Sequence, residues 1–305
     1  MPRKIGFVID PIENLNPQKD SSILLMNAAC SLGYTVFWSS AASVFAKTDT
    51  VFGIWTPYSK SSIQSQVMAF DDLDIIFLRE EPPLDKDYIE LTYLYELTKK
   101  CVLINPADAL RNASEKLYTL HFKQDIPSQL VSRNTDLLHQ FVLENQIAIL
   151  KPIGLFGSQN VLRLSHEDPD LIKKIQEATK QEKELVVCQQ FLPDVRKGDR
   201  RIFLVHGEVM GSFDSIPAEG DFRGNSHYGA RFAPAKASTR ELEIIQNIKP
   251  AIMEDRLYFV GLDFVQQCLT EVNVSCVGGI WNMNHVYDMR FELALLKALL
   301  DPFIG

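Results

Sequence analysis

The chain has 305 residues, 46% hydrophobic and 23% charged, with a formal net charge of -8. That length fits two or three packed modules rather than one core, and the acidic balance excludes a general nucleic-acid surface, which needs a basic face. The five cysteines, Cys30, Cys101, Cys188, Cys268 and Cys276, fit no zinc or small-disulfide spacing. Free thiols in a reducing cytoplasm are therefore expected, with no membrane association, since no apolar run is long enough for a signal peptide or a membrane span.

Lys4 to Ile9 is a short apolar run and predicts a first strand. Asp20-Ser21-Ser22 is an N-cap cluster, followed by Ile23, Leu24, Met26 and Ala29 at helical spacing, with Gly33 as the stop. Tyr34 to Trp38, Asp74 to Leu78 and Val102 to Ile104 predict three more strands, and Asp87 to Lys99 has a helical pattern. This alternation implies a mostly parallel sheet with helices on its faces. Ala148 to Lys151 and Val161 to Leu164 read as a hairpin around the glycine-bearing loop 153–160. Asp168 to Glu177 reads as a helix and Leu185 to Phe191 as a strand, which suggests a small α+β module. Strands are then expected at Arg201 to Val205 and Val209 to Ile216, a long helix at Thr239 to Asp255, and a hairpin of Tyr258 to Val265 with Leu269 to Val274. A helix around Glu292 to Leu300 closes the chain.

Asp263, Glu271 and Asn273 form the first chemical constellation. Residues two apart on a strand share a face, and the hairpin can bring Asp263 alongside the other two. Three oxygen donors on one face suit magnesium, which takes a few carboxylates together with substrate phosphates. The flanking apolar residues Val260, Leu262, Phe264, Leu269, Val272 and Val274 favour this over a solvated strand face. Lys151 ends an apolar strand, where a lysine can meet nucleotide phosphates as a point charge; singly, a surface lysine is the commoner reading. Gly154 and Gly157 sit in a loop whose backbone N–H groups could cover phosphates, or they simply serve the turn.

Lys19, Asp20, Ser21 and Ser22 open a helix, which is either an anion site or simple capping. Arg79 follows a strand, where α/β sheets bind ligands; the alternative is a surface ion pair with Glu80 or Glu81. Arg200, Arg201, Arg223 and Asn225 suggest a pocket for an anionic substrate. No Gly-x-Ser-x-Gly elbow, Walker-type loop or Gly-x-Gly-x-x-Gly is present.

Several ordered segments resemble the ATP-grasp superfamily, and closely its bacterial glutathione synthetases. They are Gly6 to Ile12, Lys19 to Ser22, Leu78 to Pro83, Leu110 to Asn112, Glu115-Lys116-Leu117 and Ile149 to Pro152. Gln189 to Pro193, Gly198 to Arg201, Arg223 to Asn225, Gly261 to Asp263 and Thr270 to Val274 follow in the family's order. The resemblance implies an α/β N-terminal parallel-sheet domain over residues 1–119, followed by a two-module α+β ATP-grasp, with modules at 120–195 and 196–305. It implies ligation of γ-glutamylcysteine and glycine through an acyl phosphate, with ATP as co-substrate and magnesium, or manganese in its place, as the metal. Lys116 and Lys151 would hold ATP phosphates, Gln189, Gln190, Phe191 and Leu192 the adenine, and Asp199 the ribose. Asp263, Glu271 and Asn273 would hold the metal. Lys19, Asp20, Ser21, Arg79, Arg201, Arg223 and Asn225 would receive the acid substrate, with Ser275 near the acceptor. Lys151 and Arg201 would act in catalysis, Arg201 by stabilising the tetrahedral oxyanion. A homo-oligomer, dimer or tetramer, is also implied.

Two stretches depart from the family pattern. The loop after Pro152 carries bulky Leu155 and Phe156 instead of an adjacent glycine pair, and Ser275-Cys276-Val277-Gly278-Gly279 replaces a Ser-Pro-Thr type of turn. The loop Ser226 to Arg231 is also poorer in glycine. These differences keep two alternatives open: a related ligase with another acid or amine, and a nucleotide-binding member without turnover.

Overall fold

The computed structural model describes residues 3–58, 64–81, 83–225 and 228–304. Pro82, Ser226 and His227, which belong to segments singled out above, lie outside the described residues.

The N-terminal region comprises β1 (Lys4–Ile9), α1 (Ser21–Ser31), β2 (Thr35–Ser40), β3 (Phe45–Lys47), β4 (Thr50–Pro57), β5 (Gln66–Ala69), β6 (Ile75–Arg79), α2 (Lys86–Tyr95), β7 (Val102–Ile104) and α3 (Ala107–Asn112). Its sheet runs β3-β4-β2-β1-β6-β7, with β5 on β4. The four predicted strands are β1, β2, β6 and β7, and they pair in parallel. β4 pairs antiparallel with β2, β3 and β5. The sheet is thus parallel at its centre and extended antiparallel at one side by residues 45–69. The helix expected to reach Lys99 stops at Tyr95. The Asp71 carboxylate captures the N–H groups of Lys99, Lys100 and Cys101, turning the chain out of the helix.

The middle region comprises β8 (Gln129–Ser132), α4 (Thr135–Asn145), β9 (Ile147–Pro152), β10 (Leu162–Ser165), α5 (Leu171–Ala178) and β11 (Val186–Gln190). Its antiparallel sheet runs β10-β9-β11-β8. The predicted hairpin is β9–β10, while β8 and α4 were not expected. Asn134 starts α4 by accepting the Leu137 N–H.

The C-terminal region comprises β12 (Asp199–Val205), β13 (Glu208–Ile216), β14 (Arg231–Pro234), α6 (Thr239–Glu254), β15 (Phe259–Val265), β16 (Cys268–Asn273), α7 (Ile280–Tyr287) and α8 (Phe291–Ile304). The sheet runs β14-β13-β12-β15-β16 and is antiparallel throughout. Ser238 and Glu241 form a reciprocal cap on α6.

The N- and C-terminal sheets share their cores. One cluster joins Val8, Phe37 and Trp55 to Ile202, Ile244 and Leu262; the other joins Phe7, Leu25 and Phe77 to Phe203, Leu295 and Leu299. The leucines of α8 face this core, so they offer no free oligomer stripe. The middle region has a core of its own, around Leu138, Phe141, Leu150, Ile175 and Val186. It therefore stands as a separate unit over a fused base.

Asn105, only 3% exposed, fastens that base. Its Nδ2 donates to the Phe259 and Val274 carbonyls, each at 2.8 Å, and its Oδ1 accepts the Phe259 N–H at 2.9 Å. Asn105→Ala strands three buried backbone groups, at about 1–3 kcal/mol each before relaxation. A clearly lower urea midpoint is expected, and an unchanged midpoint would show that water replaces the amide.

Candidate active site

Glu271 on β16, Asp263 on β15 and Arg201 on β12 are register partners across three neighbouring strands. Directly opposed side chains lie on one face of a sheet, so the row sets two acids beside a guanidinium. Asn273 and Asp199, two residues along their strands, share this face. Arg201 grips Asp263 with both arms: Nη2 lies 2.8 Å from Oδ2, and Nε donates to Oδ1. Its Nη1 donates to the Gly278 carbonyl at 3.2 Å. Asn273 Nδ2 donates to Asp263 Oδ2 at 3.0 Å and to the Gly261 carbonyl at 3.2 Å.

Gly261 must lack a side chain here. A Cβ would lie 3.0 Å from Val277 Cγ1 and 3.2 Å from Arg201 Cδ. A bulge after Asp263 breaks the register, and the Thr270 hydroxyl donates to the Asp263 carbonyl at 3.0 Å.

Two lysines meet this row. Lys151, near the end of β9, places Nζ 3.2 Å from Glu271 Oε1. Lys116 is buried and donates to the Leu155 carbonyl at 2.6 Å. A cavity of about 750 Å³ lies between the middle and C-terminal sheets, lined by Lys116, Lys151, Asp199, Arg201, Asp263, Glu271 and Asn273. Gln189, Gln190, Phe191 and Leu192 line its other end with Ile149 and Val161, so an apolar slot adjoins the charges. Gly157, Arg223, Asn225 and Ser275 also line it. Gly157 has φ +61°, and a Cβ there would stand 3.5 Å from Asn225 Nδ2, so the two predicted covering loops approach each other.

Burial opposes ionisation of Glu271, but Lys151 and Lys116 outweigh it and hold the carboxyl at about 2. Burial also opposes the Arg201 charge, yet Asp263 raises its pKa overall. Burial and then Asp263 push Asp199 well above the usual carboxylate range. Asp199 Oδ1 is buried without a hydrogen-bond partner among the described residues. A ligand hydroxyl at that point would satisfy it.

Lys19, Asp20, Ser21, Arg79 and Gly154 are not among the residues lining this cavity. Asp20 caps α1 by accepting the Ser22 and Ile23 N–H groups, and Ser21 Oγ accepts the Ile280 N–H. Asp20 thus makes the contacts that the capping reading expects. Lys19 instead sits over the Trp281 ring, 4.5 Å from its centroid. Arg79 ends β6 and is 3% exposed, so the surface ion pair does not form. Its Nε donates to Ser22 Oγ at 2.9 Å and its Nη2 to the Val277 carbonyl at 3.0 Å. It has no carboxylate partner among the described residues. Arg200 is corrected: alternation turns it to the opposite face, where Asp214 and Glu241 hold it. Arg223 is paired with Asp221 and lies 3.5 Å over the Tyr228 ring.

Glu115 and Cys276 were missed as cavity residues. Glu115 Oε1 accepts the Ser275 hydroxyl at 2.9 Å, so that hydroxyl is already engaged. Burial pushes the Cys276 thiol up to about 12, leaving it neutral. No pattern of spacing marks either residue.

Among the described residues, no three His, Cys, Asp or Glu side chains cluster as a metal site. The set on the page is two carboxylates and an amide, all offering oxygen, which fits a hard divalent cation that takes its remaining ligands from phosphate and water.

Comparison with known proteins agrees with this geometry. Residues 3–111 match the prokaryotic glutathione synthetase N-terminal domain, and residues 115–288 its ATP-grasp domain. The chain is 36% identical to a Synechocystis glutathione synthetase, over 94% of this chain and 96% of that one. It is 31% identical to that of Pseudomonas aeruginosa, over 97% of each. Among solved structures, a D-cycloserine synthetase superposes with a TM-score of 0.71 at 12% identity, covering 98% of this chain and 99% of the other. That likeness concerns the ATP-grasp fold.

The Glu271 pairing makes a pH prediction. Its folded pKa, about 2, lies below the unfolded value of about 4.3. The stability it contributes is complete above the unfolded value and is lost as the pH falls through the folded one. Lys151→Met removes the ion pair, so acid unfolding followed by circular dichroism should begin at a higher pH. An unmoved onset would mean that Lys151 does not hold this carboxylate down.

Proposed function

The chain belongs to the prokaryotic glutathione synthetase family, and on that premise we propose that the cavity between its middle and C-terminal sheets joins γ-glutamylcysteine to glycine at the expense of ATP. An ATP-dependent ligase with small-molecule substrates that uses a divalent metal is the family's activity; magnesium, with manganese as a substitute, is our reading. The observation that carries the site assignment is the cross-strand row Glu271–Asp263–Arg201, met from above by Lys151.

The residues divide the work by position. Gln189 to Leu192 and the apolar walls beside them suit adenine, and Asp199 Oδ1, without a partner among the described residues, suits a ribose hydroxyl. Lys116 and Lys151 would meet the phosphates, each exchanging its present acceptor for a phosphate oxygen. Asp263, Glu271 and the Asn273 side-chain oxygen would hold the metal, which supplies charge neutralisation on the transferring phosphoryl group when bound.

The substrate carboxylate attacks the γ-phosphorus, and ADP leaves. The glycine amine then attacks the acyl carbon, and phosphate departs. Arg201, its charge sustained by the pairing with Asp263, would stabilise the oxyanion. Loops 153–160 and 220–232 would exclude water from the acyl phosphate. Arg79, a buried cation without a carboxylate partner among the described residues, supports an anionic substrate group on its side of the Val277 segment. Lys19, Asp20 and Ser21 stand around the same helix start, and their place in the acid site is part of this proposal. So are the residue limits 1–119, 120–195 and 196–305.

No described helix is long and apolar enough to cross a membrane, and all five cysteines are free. The free thiols support a cytoplasmic location. The homo-oligomer rests on the family alone, and light scattering would measure it.

ADP release with γ-glutamylcysteine and a series of amino acids tests the reaction. Dependence on glycine is expected. Release only with another amine would transfer the assignment to a related ligase, as the unusual segment 275–279 would permit. ATP binding without release under any pairing would identify a non-catalytic member. Glu271→Gln should lower turnover at least ~100-fold with the fold unchanged; near-normal turnover would remove Glu271 from the metal site. Arg79→Ala should raise the KM for the acid substrate and leave ATP affinity within about twofold. An equal loss in ATP affinity would place Arg79 elsewhere.

A further inference from the structure

Glu115 has no assigned role, yet its bonding is unusual. It is 9% exposed and stands in the linker beside Lys116. Its backbone carbonyl accepts the Val272 N–H at 3.0 Å. Its side-chain Oε1 accepts the Val274 N–H at 3.3 Å, the Ser275 N–H at 3.4 Å and the Ser275 hydroxyl at 2.9 Å. One residue therefore brackets Asn273, holding the chain immediately before it and immediately after it. Glu115 does not itself touch Asn273. The Asn273 side chain reaches Gly261 and Asp263 from the backbone between these two anchored points.

The same carboxylate anchors the start of segment 275–279. The rest of that segment is held by arginines acting on its carbonyls, Arg79 on Val277 and Arg201 on Gly278. At its first residue there is no arginine, and Glu115 supplies the contact.

We infer that Glu115 is a positioning residue, which orients Asn273 toward the metal and fixes the Ser275 end of the acceptor-side segment. This rests on the site reading above. The role is one of acceptor geometry: the three donors converge on one oxygen, Oε1. A glutamine side chain also presents an oxygen there. Alanine presents none, and aspartate falls short by one methylene.

The test uses the full chain with a non-hydrolysable ATP analogue. Manganese is titrated in, and free ion is counted by electron paramagnetic resonance. Glu115→Ala should weaken manganese binding about tenfold, as loss of a group that orients a metal ligand does, and the glycine KM should rise while ATP affinity stays within about twofold. Glu115→Gln should restore both. Should the alanine variant fail to fold, Glu115→Asp takes its place, with the same shifts expected.

Unchanged manganese binding in a folded alanine or aspartate variant overturns the inference. So does a glutamine variant as defective as alanine, since the role would then depend on charge. A wild-type chain that binds no manganese beside the nucleotide would instead overturn the site reading itself. The two failures are therefore distinct.

Discussion

Taking a carboxylate or a guanidinium out of water costs several kcal/mol even after the protein relaxes, and the cost is offset only by close pairing with further hydrogen bonds. The cavity of this chain gathers Asp263, Glu271, Arg201 and Lys151 within one small volume. Each is paired: Arg201 with both oxygens of Asp263, and Lys151 with Glu271. The pairing follows from strand register, because a slip of one residue in β15 would turn Asp263 into the core and bring Leu262 into the cavity. Gly261 and the bulge after Asp263 are the local devices that let the row form. The glycine gives Arg201 room to lie along the sheet, and the bulge ends the pairing just beyond the acid.

The same pairing shapes the motion that the chemistry needs. The middle region has its own core, while the N- and C-terminal sheets share theirs. An element with an independent core, joined by few contacts, is the one that moves at low energetic cost. Lys151 with Glu271, and Lys116 with the Leu155 carbonyl, tie it across the cleft. On the proposed reading, phosphates entering between the sheets would offer both lysines stronger acceptors. On that reading, closure of the middle region and the release of Glu271 to a metal would be a single exchange of partners. Leu155 takes part through its carbonyl, so its bulk in place of glycine leaves that contact intact.

Much of this was legible in sequence where side chains carry the chemistry. Period-two spacing placed Glu271 and Asn273 on one face, and the hairpin at Gln266 and Gln267 brought Asp263 opposite Glu271. The same alternation, applied to Arg200 and Arg201, would have sent the first to the far face, where Asp214 holds it. Helix α4 also had a readable signal, with Asn134 as cap and Leu138, Phe141 and Val142 at helical spacing. Strands β3 and β5 were harder, being short and largely exposed, whereas β4 spans eight residues with an alternating burial pattern that went unread. For Arg79 the local sequence left two readings open, a ligand site beyond a strand end and a surface ion pair with Glu80 or Glu81. Burial against Ser22 and Val277 is a long-range fact that no local pattern contains.

The acceptor side was the least legible, and for a definite reason. Segment 275–279 is held mainly through its backbone. Arg79 takes the Val277 carbonyl, Arg201 takes the Gly278 carbonyl, and Glu115 takes the N–H groups of Val274 and Ser275. A peptide group is the same whatever side chain it carries, so these contacts leave no signature and tolerate substitution. The departure of Ser275-Cys276-Val277-Gly278-Gly279 from the family pattern is therefore compatible with an unchanged framework. What the departure alters is the cavity wall, where Cys276 presents a neutral thiol beside Gly278 and Gly279. On the proposed reading the framework of this segment rests on its main chain and the Ser275 hydroxyl, and Cys276 is the side chain through which the cavity wall would differ.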